Sequence, residues 1–119
     1  MLLEGVRVLL VEDEAIIAMT AEDMLEELGC ITATTATTLS EALEAADREA
    51  FDVALLDINL NGRESLPVAV RLRERSCPFV FTTGYGAAGS GGDFADVPLV
   101  TKPYQLADLE SAIRRALGR

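Results

Sequence analysis

Four short apolar runs, each closed by a polar residue and separated by stretches of helical periodicity, restrict this chain to very few folds. Glu12 and Asp13 close Val6-Arg7-Val8-Leu9-Leu10-Val11, and Asp57 closes Val53-Ala54-Leu55-Leu56. Thr83 closes Phe79-Val80-Phe81-Thr82, and Lys102 follows Leu99-Val100-Thr101. A Thr-rich run over residues 30–34 supplies the remaining strand and is expected near a sheet edge. Runs of this kind between helices predict parallel strands, whose sites lie in the crevice beyond the strands' carboxyl ends.

The helical stretches carry their own start and stop signals. Residues 15–28 place Ile17, Met24 and Leu28 on one face, with Gly29 as the stop. Thr38-Leu39-Ser40-Glu41 reads as a capping box that opens a helix to about Arg48. Asn61-Gly62 forms a turn, and Pro67 sits in the first turn of a third helix running to about Ser76. The last helix starts after Pro103 and shows Leu106, Leu109, Ile113 and Leu117 on one face. Gly84, Gly86, Gly89, Gly91 and Gly92 crowd the segment before Leu99, and an interior glycine costs a helix about 1 kcal/mol relative to alanine. The helix expected there is therefore weak.

Together these signals predict one domain over residues 1–119. It is α/β, a flavodoxin-like doubly wound parallel sheet of five strands in order 2-1-3-4-5. Helices cover both faces, and the fourth is weak. In that order the first and third strands are neighbours, so Asp13 and Asp57 meet although 44 positions separate them.

Composition removes several classes of function. The net charge of -10, from 10 basic and 20 acidic residues, repels nucleic-acid backbones and anionic lipid alike. No recognition helix, basic arm, membrane-length apolar stretch or amino-terminal leader pattern is visible, which predicts a cytoplasmic protein. Histidine is absent, so Ser-His-Asp and Cys-His catalysis, histidine-ligated zinc and a phosphohistidine on this chain are all excluded. Cys30 and Cys77 lack metal-ligand spacing and are expected to be buried free thiols.

The strand-end residues need another explanation. Carboxylates about 4 Å apart repel by roughly 4 kcal/mol per pair at an effective dielectric of 20, so Glu12, Asp13 and Asp57 need a cation. Ligands offering oxygen alone favour Mg²⁺. Asp57, at the end of the most buried strand, is the candidate nucleophile toward a phosphoryl donor. Lys102 would neutralise one phosphoryl oxygen and the Thr83 hydroxyl would donate to another. Singly, each residue has an ordinary reading as a turn, a cap or a solvated charge. In this order on these strands they read as one site.

Glu12-Asp13, Leu55-Leu56-Asp57, Thr83-Gly84 and Thr101-Lys102-Pro103 resemble the marks of response-regulator receiver domains of two-component signalling. The likeness covers nearly all 119 residues. It implies that Asp13, Asp57 and the Asn59 carbonyl coordinate Mg²⁺, with Glu12 acting through water. It also implies that Asp57 accepts a phosphoryl group from a phosphohistidine of a histidine kinase or phosphotransfer protein. The output would pass to an unidentified downstream protein through the surface formed by the fifth strand and the helices flanking it.

Phe81-Thr82-Thr83-Gly84-Tyr85 also resembles the fourth-strand motif of the FAT GUY receivers. Many of these are small alphaproteobacterial proteins without an output domain, often linked to kinases of the HWE type. A stand-alone regulator or phosphate shuttle is the expectation; a receiver from a hybrid kinase is the alternative. Most receivers carry an aromatic residue three positions before the lysine, where this chain has Leu99. The segment 84–98 is therefore expected to move instead. Asn59 and Tyr85, two residues beyond Asp57 and Thr83, are expected to screen the phosphoaspartate from water and set its lifetime. Beyond its own phosphorylation and dephosphorylation no enzymatic activity is expected. A haloacid-dehalogenase-like phosphatase is disfavoured, because Asp57-Ile58-Asn59 lacks that family's second aspartate. A flavodoxin is disfavoured because Glu12 and Asp13 would repel the FMN phosphate.

Overall fold

A computed structural model describes residues 3–48, 50–60, 63–84 and 94–119. The main sheet contains β1 (Arg7–Val11), β2 (Ile31–Ala36), β3 (Val53–Asp57), β6 (Phe79–Thr83) and β7 (Leu99–Thr101). All its pairings are parallel, in the order β2-β1-β3-β6-β7. This is the predicted order, with the Thr-rich strand at an edge. A small antiparallel hairpin, β4 (Asn59–Leu60) with β5 (Arg63–Glu64), follows β3 and was not anticipated. The predicted turn Asn61-Gly62 lies outside the described residues.

Four helices occur among the described residues: α1 (Ala15–Glu27), α2 (Leu39–Arg48), α3 (Leu66–Glu74) and α4 (Leu106–Leu117). Strand side chains alternate between two helical layers. Val8, Leu10, Val53, Leu55, Val80 and Val100 pack with Leu25 of α1 and with Leu109 and Ile113 of α4. Leu9, Val11, Ala54, Leu56, Phe79 and Phe81 pack with α2 and α3 through Ala45, Ala46, Val68 and Leu72. Val8–Val11 of β1 and Val53–Leu56 of β3 are covered on both faces, which is why they read as unbroken apolar runs.

Local signals mostly act as read, with instructive departures. The buried stripe of α1 is Ala18, Ala21 and Leu25, while Ile17 and Met24 sit at its flanks. Small residues let α1 approach the sheet closely, and the larger side chains straddle the contact. Gly29 has φ +91°, and a Cβ there would lie 3.1 Å from the Glu4 Cα, so both conformation and space require glycine. At α2 half of the capping box forms: the Glu41 N–H donates to the Thr38 hydroxyl at 3.1 Å. The return bond goes one residue further back, from the Thr37 N–H to the Glu41 carboxylate at 2.8 Å.

The third helix stops at Glu74, not Ser76, because Ser76 takes φ 58°. The Cys77 N–H then bonds back to the Leu72 carbonyl at 2.9 Å, closing the helix end. Of the weak helix expected before β7, residues 85–93 lie outside the described set. Phe94 to Val97 close a turn through a 3.1 Å hydrogen bond. Phe94 is held by edge-to-face contacts with Phe79 and Phe81, and the Arg73 guanidinium lies 4.9 Å from its ring centre.

Both cysteines are free; Cys30 is buried as expected, but Cys77 is only half-buried. Burial pushes the Cys30 thiol up to about 11, and burial with the Asp52 charge does the same for Cys77. Unfolded thiols ionise near pH 9, about two units earlier, so the unfolded chain releases protons first as pH rises. Stability should therefore hold below pH 9 and fall between pH 9 and 11. Urea unfolding at pH 8 and pH 10.5 measures this, and Cys30→Ala should show the smaller loss between the two.

No helix among the described residues is long and apolar enough to cross a membrane.

Candidate functional site

The parallel register brings the strand ends together. Val11 of β1 pairs with Leu56 of β3, so Glu12 and Asp57, each the next residue, stand side by side. The Glu12 N–H donates to the Ala36 carbonyl of β2 at 3.0 Å, which fixes the exit of the chain from β1. On the other side of β3, Asp57 pairs with Thr82 and Thr83 pairs with Thr101. The Lys102 N–H donates to the Thr83 carbonyl at 2.8 Å, so lysine and threonine are fixed relative to each other through the backbone.

Three predicted acids do converge. Glu12, Asp13 and Asp57 each offer a carboxylate oxygen, all within 4.8 Å of one another. Glu12 is 0% exposed and Asp57 4%, while Asp13 is half-buried. The Lys102 ammonium donates to Glu12 Oε1 and Asp57 Oδ2, each at 3.0 Å. The remaining oxygens are also engaged: Glu12 Oε2 accepts the Glu14 N–H and Asp57 Oδ1 the Asn59 N–H, both at 3.1 Å. Thr83 is buried beside them, and the Asn59 side chain is exposed on β4. Tyr85 lies outside the described residues.

The sequence reading gave Lys102 to an incoming phosphoryl group and left the acids to a metal. Here Lys102 is the bridge between two of those acids. At an effective dielectric of 20, each 3.0 Å ion pair contributes roughly 5 kcal/mol of attraction, against roughly 3 to 4 for a pair of carboxylates 4.8 Å apart. One ammonium thus holds Glu12 and Asp57 together, yet three ionised acids still leave two negative charges in the cup. A hard divalent cation matches that deficit and that all-oxygen donor set.

Burial, more than charge, sets the protonation of the site. Burial raises the Glu12 carboxyl to about 7; Lys102 and the Glu14 N–H pull it down, and the Asp57 charge adds to the rise. For Lys102, burial opposes the charge, but hydrogen bonds to Glu12 and Asp57 outweigh it and the pKa goes up.

The loop after Asp57 is closed by Ser65, fully buried, whose N–H and hydroxyl both donate to the Ile58 carbonyl, at 2.9 and 3.1 Å. Sequence reading missed Ser65, Tyr104 and the hairpin. Ser65 and Tyr104 are single polar residues in apolar surroundings, which carry no periodic signal. Leu99 pairs with Phe81 and packs against the α2–α3 side of the core.

The model of the response regulator receiver domain matches residues 8–114. This chain belongs to that family. Among solved structures, this receiver is similar to SdrG from Sphingomonas melonis Fr1, 38% identical, with a TM-score of 0.85 over 97% of this chain and 98% of that one. It is also similar to the receiver domain of the PhyR response regulator of Erythrobacter litoralis, 32% identical, with a TM-score of 0.81 over 97% and 92%. Transcriptional regulatory protein PdtaR of Mycobacterium tuberculosis is 30% identical over 117 residues, covering 95% of this chain and 57% of the relative. The receiver thus spans only part of the length of the curated relatives it matches.

Proposed function

We propose that residues 1–119 act as one phosphoacceptor receiver module in which Asp57 takes a phosphoryl group from a phosphohistidine. The donor is a histidine kinase or a phosphotransfer protein. The observation that carries this reading is the Lys102 ammonium spanning Glu12 and Asp57 at 3.0 Å inside a three-carboxylate cup. A carboxylate oxygen of Asp57 bonds to phosphorus as the phosphorus–nitrogen bond breaks, and the departing imidazole keeps the electron pair. Lys102, already at Asp57 Oδ2, is placed to follow the negative charge onto a phosphoryl oxygen, and the Thr83 hydroxyl donates to another.

Glu12, Asp13, Asp57 and the Asn59 carbonyl would hold Mg²⁺, which when bound spreads the charge of the transferring group. The Asn59 N–H on Asp57 Oδ1 keeps the acceptor oriented before the donor arrives. Asn59 and Tyr85 screen the phosphoaspartate and set its lifetime. The chain works in the cytoplasm, turns over no separate substrate, and signals to a downstream protein through altered binding after β6.

Incubation with acetyl phosphate and Mg²⁺, followed by intact mass, tests the proposal. The wild type should gain one phosphate and Asp57→Asn none. Phosphate retained by Asp57→Asn, or steady hydrolysis of p-nitrophenyl phosphate over many turnovers, would overturn it.

A further inference from the structure

Ser65 is 0% exposed and stands at the N-cap of α3, where a serine usually turns its hydroxyl onto the helix's open N–H groups. Here it makes no such cap. Pro67 has no N–H to offer, and the Val68 N–H already goes to the Ser65 carbonyl at 2.9 Å. The hydroxyl instead reaches back to donate to the Ile58 carbonyl at 3.1 Å, and the Ser65 N–H donates to the same oxygen at 2.9 Å. It serves the loop after Asp57, not the helix that follows.

Ile58 lies between the phosphoacceptor and the backbone group that orients it. Its carbonyl and the Asn59 N–H are opposite ends of one planar trans peptide unit, so fixing the oxygen fixes the direction of the N–H. That N–H donates to Asp57 Oδ1 at 3.1 Å. The Ile58 N–H, in the preceding peptide unit, donates to the Thr82 carbonyl of β6 at 3.0 Å. Both peptide units flanking Ile58 are therefore held, one by the sheet and one by Ser65. The antiparallel pairing of Asn59 with Glu64 and of Leu60 with Arg63 returns the chain so that Ser65 can reach Ile58.

We infer that Ser65 is a positioning residue for phosphoryl transfer, holding the Asp57 carboxylate through the Ile58–Asn59 peptide with Oδ1 tied down and Oδ2 turned to Lys102. This rests on the phosphoacceptor reading of Asp57. Ser65 acts at one remove, by keeping a peptide plane from rocking. Without the hydroxyl, one of two bonds on the Ile58 oxygen is lost, and the carboxylate spends less time aligned with an incoming donor.

Ser65→Ala removes the hydroxyl and keeps the backbone N–H. With acetyl phosphate and saturating Mg²⁺, intact mass followed over time should show phosphorylation roughly 3- to 10-fold slower than in the wild type, the equivalent of one neutral hydrogen bond. Ser65→Thr, which restores the hydroxyl, should recover most of that rate. The Asn59 amide proton, held on a carboxylate, should resonate upfield of its wild-type position in Ser65→Ala and return in Ser65→Thr. Leu72 in α3 should keep its protection from hydrogen exchange throughout. A purely structural role would loosen α3 and leave the Asn59 signal and the rate unmoved.

A wild-type rate with an unmoved Asn59 signal in Ser65→Ala would overturn the positioning role alone, as would a Ser65→Thr chain as slow as Ser65→Ala. Where a substitution prevents folding, the wild type decides: an Asn59 amide that exchanges as fast as an open loop amide overturns the clamp. A wild type that takes up no phosphate overturns the phosphoacceptor reading and the role of Ser65 with it.

Discussion

Replacing Lys102 with methionine is expected to destabilise the fold by about 3 to 5 kcal/mol in magnesium-free buffer. Methionine keeps the length and the apolar stem and removes only the charge. Two carboxylates, one with no exposed surface and one with 4%, are then left facing each other without the ammonium 3.0 Å from each. The loss should be partly recovered by millimolar Mg²⁺, because a cation bound to the native cup and not to the unfolded chain stabilises by mass action. Chemical denaturation of Lys102→Met with and without Mg²⁺ measures both effects. Equal stability of Lys102→Met and wild type without magnesium would show that the bridge contributes nothing. Phosphate uptake from acetyl phosphate should fall in the same variant, since Lys102 no longer meets the incoming charge.

Phe81→Ala should cost a comparable amount, about 3 to 5 kcal/mol, from a site unconnected with charge. Phe81 is 0% exposed, with ring centres of Phe79 and Phe94 at 5.4 and 5.8 Å. Its removal leaves a void under β6 and takes away one of the aromatic contacts that hold Phe94 after the glycine-rich segment. A thermal melt should show a drop of roughly 10 to 20 °C for a chain of this size. Phe81→Leu, which refills most of the volume, should lose much less. A drop of only a few degrees for Phe81→Ala would mean that the neighbouring rings collapse into the space.

These contrasts show which parts of the molecule could be read from its residues. Val53–Asp57, Phe79–Thr83 and Leu99–Thr101 begin and end where their apolar runs do. Strands covered on both faces have no reason to interrupt hydrophobicity, so their bounds are sharp. The strand order followed from the number and spacing of the strand–helix units, and it put Glu12 beside Asp57. The buried face of α1 was read in part: Leu28 is in the core and Ile17 and Met24 pack against it, but Ala18 and Ala21 are buried for being small, and a search for large apolar side chains passes over them. The hairpin Asn59–Glu64 is too short for any periodicity to reveal.

The place of Lys102 was only half legible. A sequence shows that a lysine arrives at the site, but whether it rests on carboxylates before any phosphate comes depends on distances that only the register supplies.

The bridge also has a consequence for how the protein is made. Synthesis delivers Glu12 first, then Asp57 and only later Lys102, so a ribosome-bound chain has both acids before it has the counter-ion that lets them be buried together. Nascent fragments ending before position 102 should therefore keep this corner open and hydrated. Native closure becomes a late event, triggered by emergence of the last strand.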